Sequence, residues 1–186
     1  MPRIAEIEGT PNPNAMKFIL RDPLTWGITR SYDNAAMAKD DPVAAALFDI
    51  EHVTNVFYVD HWITVTQDGG ARWQELTRKV AAPIRAAPAA DAQSAATIAA
   101  AATAIAGLSP EDQQRLDKIN ALLDEQIRPY LQGDGGDLHV LGLDGTKLSV
   151  HYQGACGTCP SSIAGTLAGI ENLVRSIEPD IEVVAI

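Results

Sequence analysis

The sequence predicts an α+β protein: two small α+β domains joined by an Ala-rich linker. Three observations carry this expectation. Strand-like and helix-like runs recur on both sides of the middle of the chain. Between them, 13 of the 21 residues from Ala86 to Ala106 are alanine. Charge also divides unevenly, with 11 acidic and 9 basic residues over 1–86 against 12 and 5 over 108–186. The expected boundaries are 1–86 for the first domain, 87–107 for the linker and 108–186 for the second domain. A chain of 186 residues, 46% of them apolar, has enough material for two cores of this size.

In the first domain, Ile4–Glu8 and Met16–Leu20 are short strand candidates around a turn, Thr10-Pro11-Asn12-Pro13-Asn14. Pro42 to Ile50 reads as a short helix, with Asp41 as its N-cap and Pro42 in its first turn. Val53–Val59 and Trp62–Thr66 are rich in β-branched and aromatic residues and flank Asp60-His61, the pattern of a hairpin. From Trp73 to Ile84, helical spacing brings Leu76, Val80 and Ile84 onto one face. Trp26, Trp62 and Trp73 are expected in the core. In the linker, alanine's helix propensity suits a semi-rigid spacer, and Ile98 and Ile105 are its two candidate anchors to a core.

The second domain is expected in the order α-β-β-α-β. Ser109-Pro110-Glu111-Asp112 combines an N-cap, Pro at the first helical position and acids in the first turn. Leu116, Ile119, Leu123, Ile127 and Tyr130 follow at helical spacing, and Gly133-Asp134-Gly135-Gly136-Asp137 closes that helix in a glycine turn. Gly133, Gly135 and Gly136 are expected at positive φ. Leu138–Leu143 and Lys147–Gln153 are strands, with Asp144-Gly145 as a type I′ turn signal. Pro160 opens a helix bearing Ile163, Leu167, Ile170, Val174 and Ile177 on one face, and Ile181–Ile186 closes the chain as a strand.

The net charge of -10 repels phosphate backbones, and 5% aromatic content leaves little for stacking bases, so nucleic acid is not an expected partner. The Ala95–Ala106 run is shorter than the roughly 20 residues a bilayer span needs. The first residues, with Glu6 already acidic, do not read as a targeting segment. A cytoplasmic protein of a reducing compartment is expected. No Ser/His/Asp set, carboxylate pair or phosphate loop stands out, so no enzymatic activity is expected.

The chemistry concentrates in Gly154-Ala155-Cys156-Gly157-Thr158-Cys159-Pro160-Ser161-Ser162, between a predicted strand and a predicted helix. Pro160 fits the first helical position, which makes Cys159 the N-cap, near orphan N–H groups that favour thiolate. Four readings compete for the pair. Structural zinc needs two more ligands, and the register does not aim His139 and His151 at the cysteines. A dithiol redox site is the second reading, although no aromatic residue precedes Cys156 and Pro follows the second cysteine. Inert buried thiols are the third, against which the surrounding glycines stand. An iron–sulfur cluster is the fourth: a cubane wants four thiolates, and two chains across a two-fold axis would supply them.

Arg128-Pro129-Tyr130-Leu131-Gln132-Gly133-Asp134-Gly135-Gly136-Asp137, followed by the cysteine segment, closely resembles the C-terminal NifU-like domain of Nfu iron–sulfur scaffold proteins. Thr10-Pro11-Asn12-Pro13-Asn14-Ala15-Met16-Lys17-Phe18 resembles the opening of the Nfu N-terminal domain. The resemblance implies a scaffold or carrier that binds a 4Fe–4S cluster at a homodimer interface, 2Fe–2S being the other form that four thiolates hold. Cys156 and Cys159 map onto the family's cluster ligands. The implied partners are apo iron–sulfur client proteins and upstream cluster-assembly proteins. The first domain has no cysteine, and the family suggests client contact as its role. The alternative function is a thiol–disulfide oxidoreductase using the same pair.

Overall fold

The computed structural model describes residues 1–88, 90, 109–157 and 160–186, which form two compact units on either side of residues 91–108. The expected linker, with Ile98 and Ile105, lies outside the described residues apart from Ala87, Pro88 and Ala90. No helix among the described residues is long and apolar enough to cross a membrane. Both units mix helices with a sheet, the α+β class the sequence predicts.

The first unit runs β1 (Ile4–Gly9), β2 (Ala15–Leu20), β3 (Arg30–Tyr32), α1 (Pro42–Phe48), β4 (Val53–Val59), β5 (Trp62–Gln67) and α2 (Trp73–Ala86). Its antiparallel sheet has the order β1-β2-β5-β4-β3. Alternation puts Phe18, Leu20, Val56, Tyr58, Ile63 and Val65 on one face, against Leu47 of α1 and Leu76, Val80 and Ile84 of α2. Each such apolar side chain contributes about 1.5–3 kcal/mol by leaving water. Ala87, just beyond α2, is also buried in this core.

Asp41 does more here than cap a helix. Its Oδ1 accepts the Val43 and Ala44 amides at 3.0 Å each, while its Oδ2 accepts the Tyr32 hydroxyl at 2.7 Å and the Tyr58 hydroxyl. Burial, then the Asp41 carboxylate, pushes the Tyr32 phenol up to about 12 and the Tyr58 phenol up further. Both tyrosines therefore stay protonated donors. Asp41→Asn is expected to cost about 1–2 kcal/mol, the difference between charge-assisted and neutral hydrogen bonds. The urea midpoint checks this; an unchanged midpoint would refute it.

The structure refines the reading of this unit at three points. The short edge strand β3 was not predicted. Trp26 is 48% exposed, standing edge-on to His61 rather than in the core. The Thr10–Asn14 segment is a structural corner: Thr10 Oγ1 donates to the carbonyls of Asn12 and Ala15, Asn12 is buried, and the Trp73 indole donates to the Pro13 carbonyl.

The second unit runs α3 (Pro110–Gln126), α4 (Arg128–Gly133), β6 (Gly136–Asp144), β7 (Lys147–Gly154), α5 (Pro160–Val174) and β8 (Glu182–Ala185). β7 pairs antiparallel with β6 and parallel with β8. Leu116, Ile119 and Leu123 of α3 and Ile170 and Val174 of α5 meet Leu138, Val140, Leu148, Val150 and Val183 from one face of the sheet. The N-cap Ser109 accepts the Asp112 amide at 3.1 Å, as its sequence context predicts. Ile177 lies past the end of α5 and is 42% exposed, so it does not extend that face.

The helix expected to continue through Tyr130 instead breaks at Ile127, whose φ of -113° leaves helical geometry, so two helices precede the hairpin. Pro129 accounts for the break, because it has no N–H and its ring would meet the carbonyl four residues back. The hairpin turn is also displaced by one residue. Asp144 pairs with Lys147, so Gly145 and Thr146 are its central residues. Gly145 alone has positive φ (60°), the pattern of a type II′ turn.

Candidate functional site

β7 ends at Gly154, whose φ of 65° turns the chain out of the sheet. The Ala155 amide then donates to the Gly135 carbonyl at 3.1 Å, and the Gly157 amide donates to the Gly154 carbonyl at 3.2 Å. The first bond clamps the cysteine turn onto the turn that enters β6. Gly135, at φ 82°, supplies the left-handed backbone this needs. Between the two bonds sits Cys156, only 2% exposed and part of the second unit's core. The sequence reading set this turn outside core packing; the structure corrects that, because the Ala155–Gly135 bond draws the next side chain inward. Thr158 and Cys159 lie outside the described residues, and α5 begins at the next position, Pro160.

Gly136 makes room for the sulfur. A Cβ there would stand 2.6 Å from Cys156 Sγ and 2.6 Å from the Gln153 carbonyl oxygen. Gly133 and Gly136 do not have the positive φ expected of them; among the three glycines only Gly135 does. A Cβ at Gly157 would stand 2.9 Å from the Tyr152 carbonyl oxygen. Sequence reasoning marked Gly136 as a turn residue and missed its close-approach role, which depends on what packs opposite it.

Around the sulfur, Tyr152 is buried, and burial, then the neighbouring Cys156 in its ionised form, pushes its phenol up to about 12. Its hydroxyl has no hydrogen-bond partner among the described residues. Asp137 accepts from Gln132 Nε2 at 3.2 Å and from the Leu138 amide at 2.7 Å, so its carboxylate secures the entry to β6. Asp134 caps the end of α4. His139 and His151 are register partners on the sheet face opposite the core that holds Cys156. No group of three or more His, Cys, Asp or Glu side chains comes together among the described residues. The described part of the site therefore offers one thiol in a glycine-lined seat, at the junction of a hairpin and a helix.

Comparison with known proteins agrees with both halves of the chain. The family model described as "Scaffold protein Nfu/NifU N terminal" matches residues 4–90, and that described as "NifU-like domain" matches residues 119–185. The human protein named "NFU1 iron-sulfur cluster scaffold homolog, mitochondrial" is 34% identical over 179 residues, covering 95% of this chain and 69% of its own. The Drosophila erecta protein of the same name is 32% identical over 190 residues, covering 95% of this chain but 62% of its own length. The chain thus spans a little under two thirds of the fly relatives it matches. The crystal structure of protein SAV1430 from Staphylococcus aureus aligns with 44% of this chain and 98% of its own, at 26% identity and a TM-score of 0.39.

Proposed function

This chain belongs to the Nfu family of iron–sulfur cluster scaffold proteins, and from that membership we propose that it carries a 4Fe–4S cluster between two copies of itself and passes it to apo-proteins. Cys156 and Cys159 of each copy are the four ligands. The observation that carries this reading is the seat of Cys156: a thiol held by a glycine-lined turn, four positions before a helix start, in a chain with two cysteines in all. A cubane needs four thiolates, so one chain falls short and two suffice.

Loading needs the sulfur at the surface. The turn from Gly154 to Gly157 must therefore open and bring Cys156 Sγ outward. Each thiol gives up its proton as its Fe–S bond forms. When a client thiolate replaces it on iron, it takes a proton back. A cluster held by few ligands at an interface between copies leaves readily, which suits delivery. The first unit has no cysteine and serves as the contact for clients. A reducing compartment suits thiols kept for metal.

The second domain's 12 acids and 5 bases make two copies repel, so iron–thiolate bonds supply the association. Sedimentation of the metal-free and anaerobically reconstituted protein tests this. The metal-free chain is expected to sediment as a monomer and the brown, reconstituted protein as a dimer with one cubane per two chains. A tight metal-free dimer unchanged by loading, or a full iron load on a monomer, would overturn the proposal.

A further inference from the structure

Two of the four histidines in the chain, His139 and His151, stand opposite each other on β6 and β7. Their neighbours Leu138, Val140, Val150 and Tyr152 enter the core, so by strand alternation both imidazoles leave from the other face. His139 is exposed and His151 half-buried. A register shift creates the pair. Near the turn the partners are Asp144 with Lys147, Leu143 with Leu148 and Gly142 with Ser149. Beyond a bulge at Leu141 the register moves by one, so that Val140 meets Val150 and His139 meets His151. Without the bulge, His139 would face Tyr152.

Directly opposed side chains have Cβ atoms about 4.5–5.5 Å apart. Two imidazole nitrogens bound to one ion at about 2.0–2.1 Å lie about 3 Å from each other, a span that opposed histidines reach. His151 is also oriented for such a role. Its Nδ1 lies 2.8 Å from the main-chain oxygen of Ile186, which only accepts, so Nδ1 carries the proton and Nε2 the lone pair. Metal-ligating histidines commonly donate their second ring N–H to a backbone carbonyl in this way. We propose that His139 and His151 form a two-histidine site for a divalent late transition-metal ion, of the nickel, copper and zinc class that imidazole suits.

Water completes the coordination, in keeping with the lack of a third clustered ligand among the described residues. Asp137, next along the same strand face, has its carboxylate engaged by Gln132 and the Leu138 amide and is not required. The second domain's excess of 12 acids over 5 bases draws cations toward it. Arg128, whose charge reaches His139, is itself paired with Asp124 at 3.1 Å. The site is separate from the cysteine pair and does not rest on the cluster reading.

Calorimetric titration with Ni(II) of the full chain carrying Cys156→Ser and Cys159→Ser tests this with the thiols removed. One equivalent is expected to bind. His139→Gln and His151→Gln should each weaken binding at least about ten-fold, whereas His52→Gln and His61→Gln should leave it unchanged. Absence of saturable binding, or binding that depends on one of the pair only, overturns the site. In the unaltered chain, substoichiometric Ni(II) should broaden the His139 and His151 imidazole resonances together. Broadening confined to His52 or His61 would overturn it as well.

Discussion

Anaerobic reconstitution of Cys156→Ser or Cys159→Ser is expected to give protein with almost no bound iron or acid-labile sulfide. One substitution per chain removes two of the four ligands from a dimer, and a serine hydroxyl, far less acidic than a thiol, does not replace a thiolate on iron. The two variants should also differ, in a way specific to this fold. Cys156 is 2% exposed among apolar side chains, so exchanging its weakly polar sulfur for a smaller, more polar hydroxyl should cost about 1–2 kcal/mol in the metal-free protein. Cys156→Ala keeps an apolar surface and should be closer to neutral in stability while losing iron just as fully. Iron analysis, circular dichroism and urea midpoints on all three variants separate loss of ligand from loss of fold. A normal iron load on any of them would remove that cysteine from the ligand set.

Most of the frame was legible because it is local. Asp41-Pro42 and Ser109-Pro110 state two helix starts outright, and the alternating apolar runs of β2, β4 and β5 state their own faces. What escaped the reading is set by partners distant in sequence. β3 is three residues long and becomes a strand by pairing with β4. The break at Ile127 follows from Pro129, whose effect the apolar spacing from Leu116 to Tyr130 masked. The histidine pair depends on two shifts of register, the turn at Gly145-Thr146 and the bulge at Leu141. A hairpin drawn around Asp144-Gly145 with no bulge would have set His139 opposite Val150 instead. The cysteine motif itself was plain in the sequence. The inward seat of Cys156 was not, because it depends on the bond from Ala155 to Gly135 and on the absence of a side chain at Gly136.

That absent side chain yields the second large effect. In Gly136→Ala, the new Cβ would meet both Cys156 Sγ and the Gln153 carbonyl oxygen at 2.6 Å, closer than real Cβ contacts come. The sulfur sits on a side chain that can turn away, but the carbonyl belongs to the paired strand. β6 and β7 must therefore part where Gly136 faces Gly154, at the point where the cysteine turn leaves the sheet. Overpacking of this kind costs about 2–3 kcal/mol. It should also lower the iron load, because the bond between Ala155 and Gly135 that positions the turn lies beside the disturbed pair. Gly142→Ala is the control: it lies on the same strand, lacks positive φ and has nothing within 4 Å of an added Cβ, so its effect should stay within about 0.5 kcal/mol. The comparison cancels the general effect of replacing glycine by alanine in a strand. If the two variants match each other in urea midpoint and iron load, close packing at Gly136 does not hold the cysteine in place.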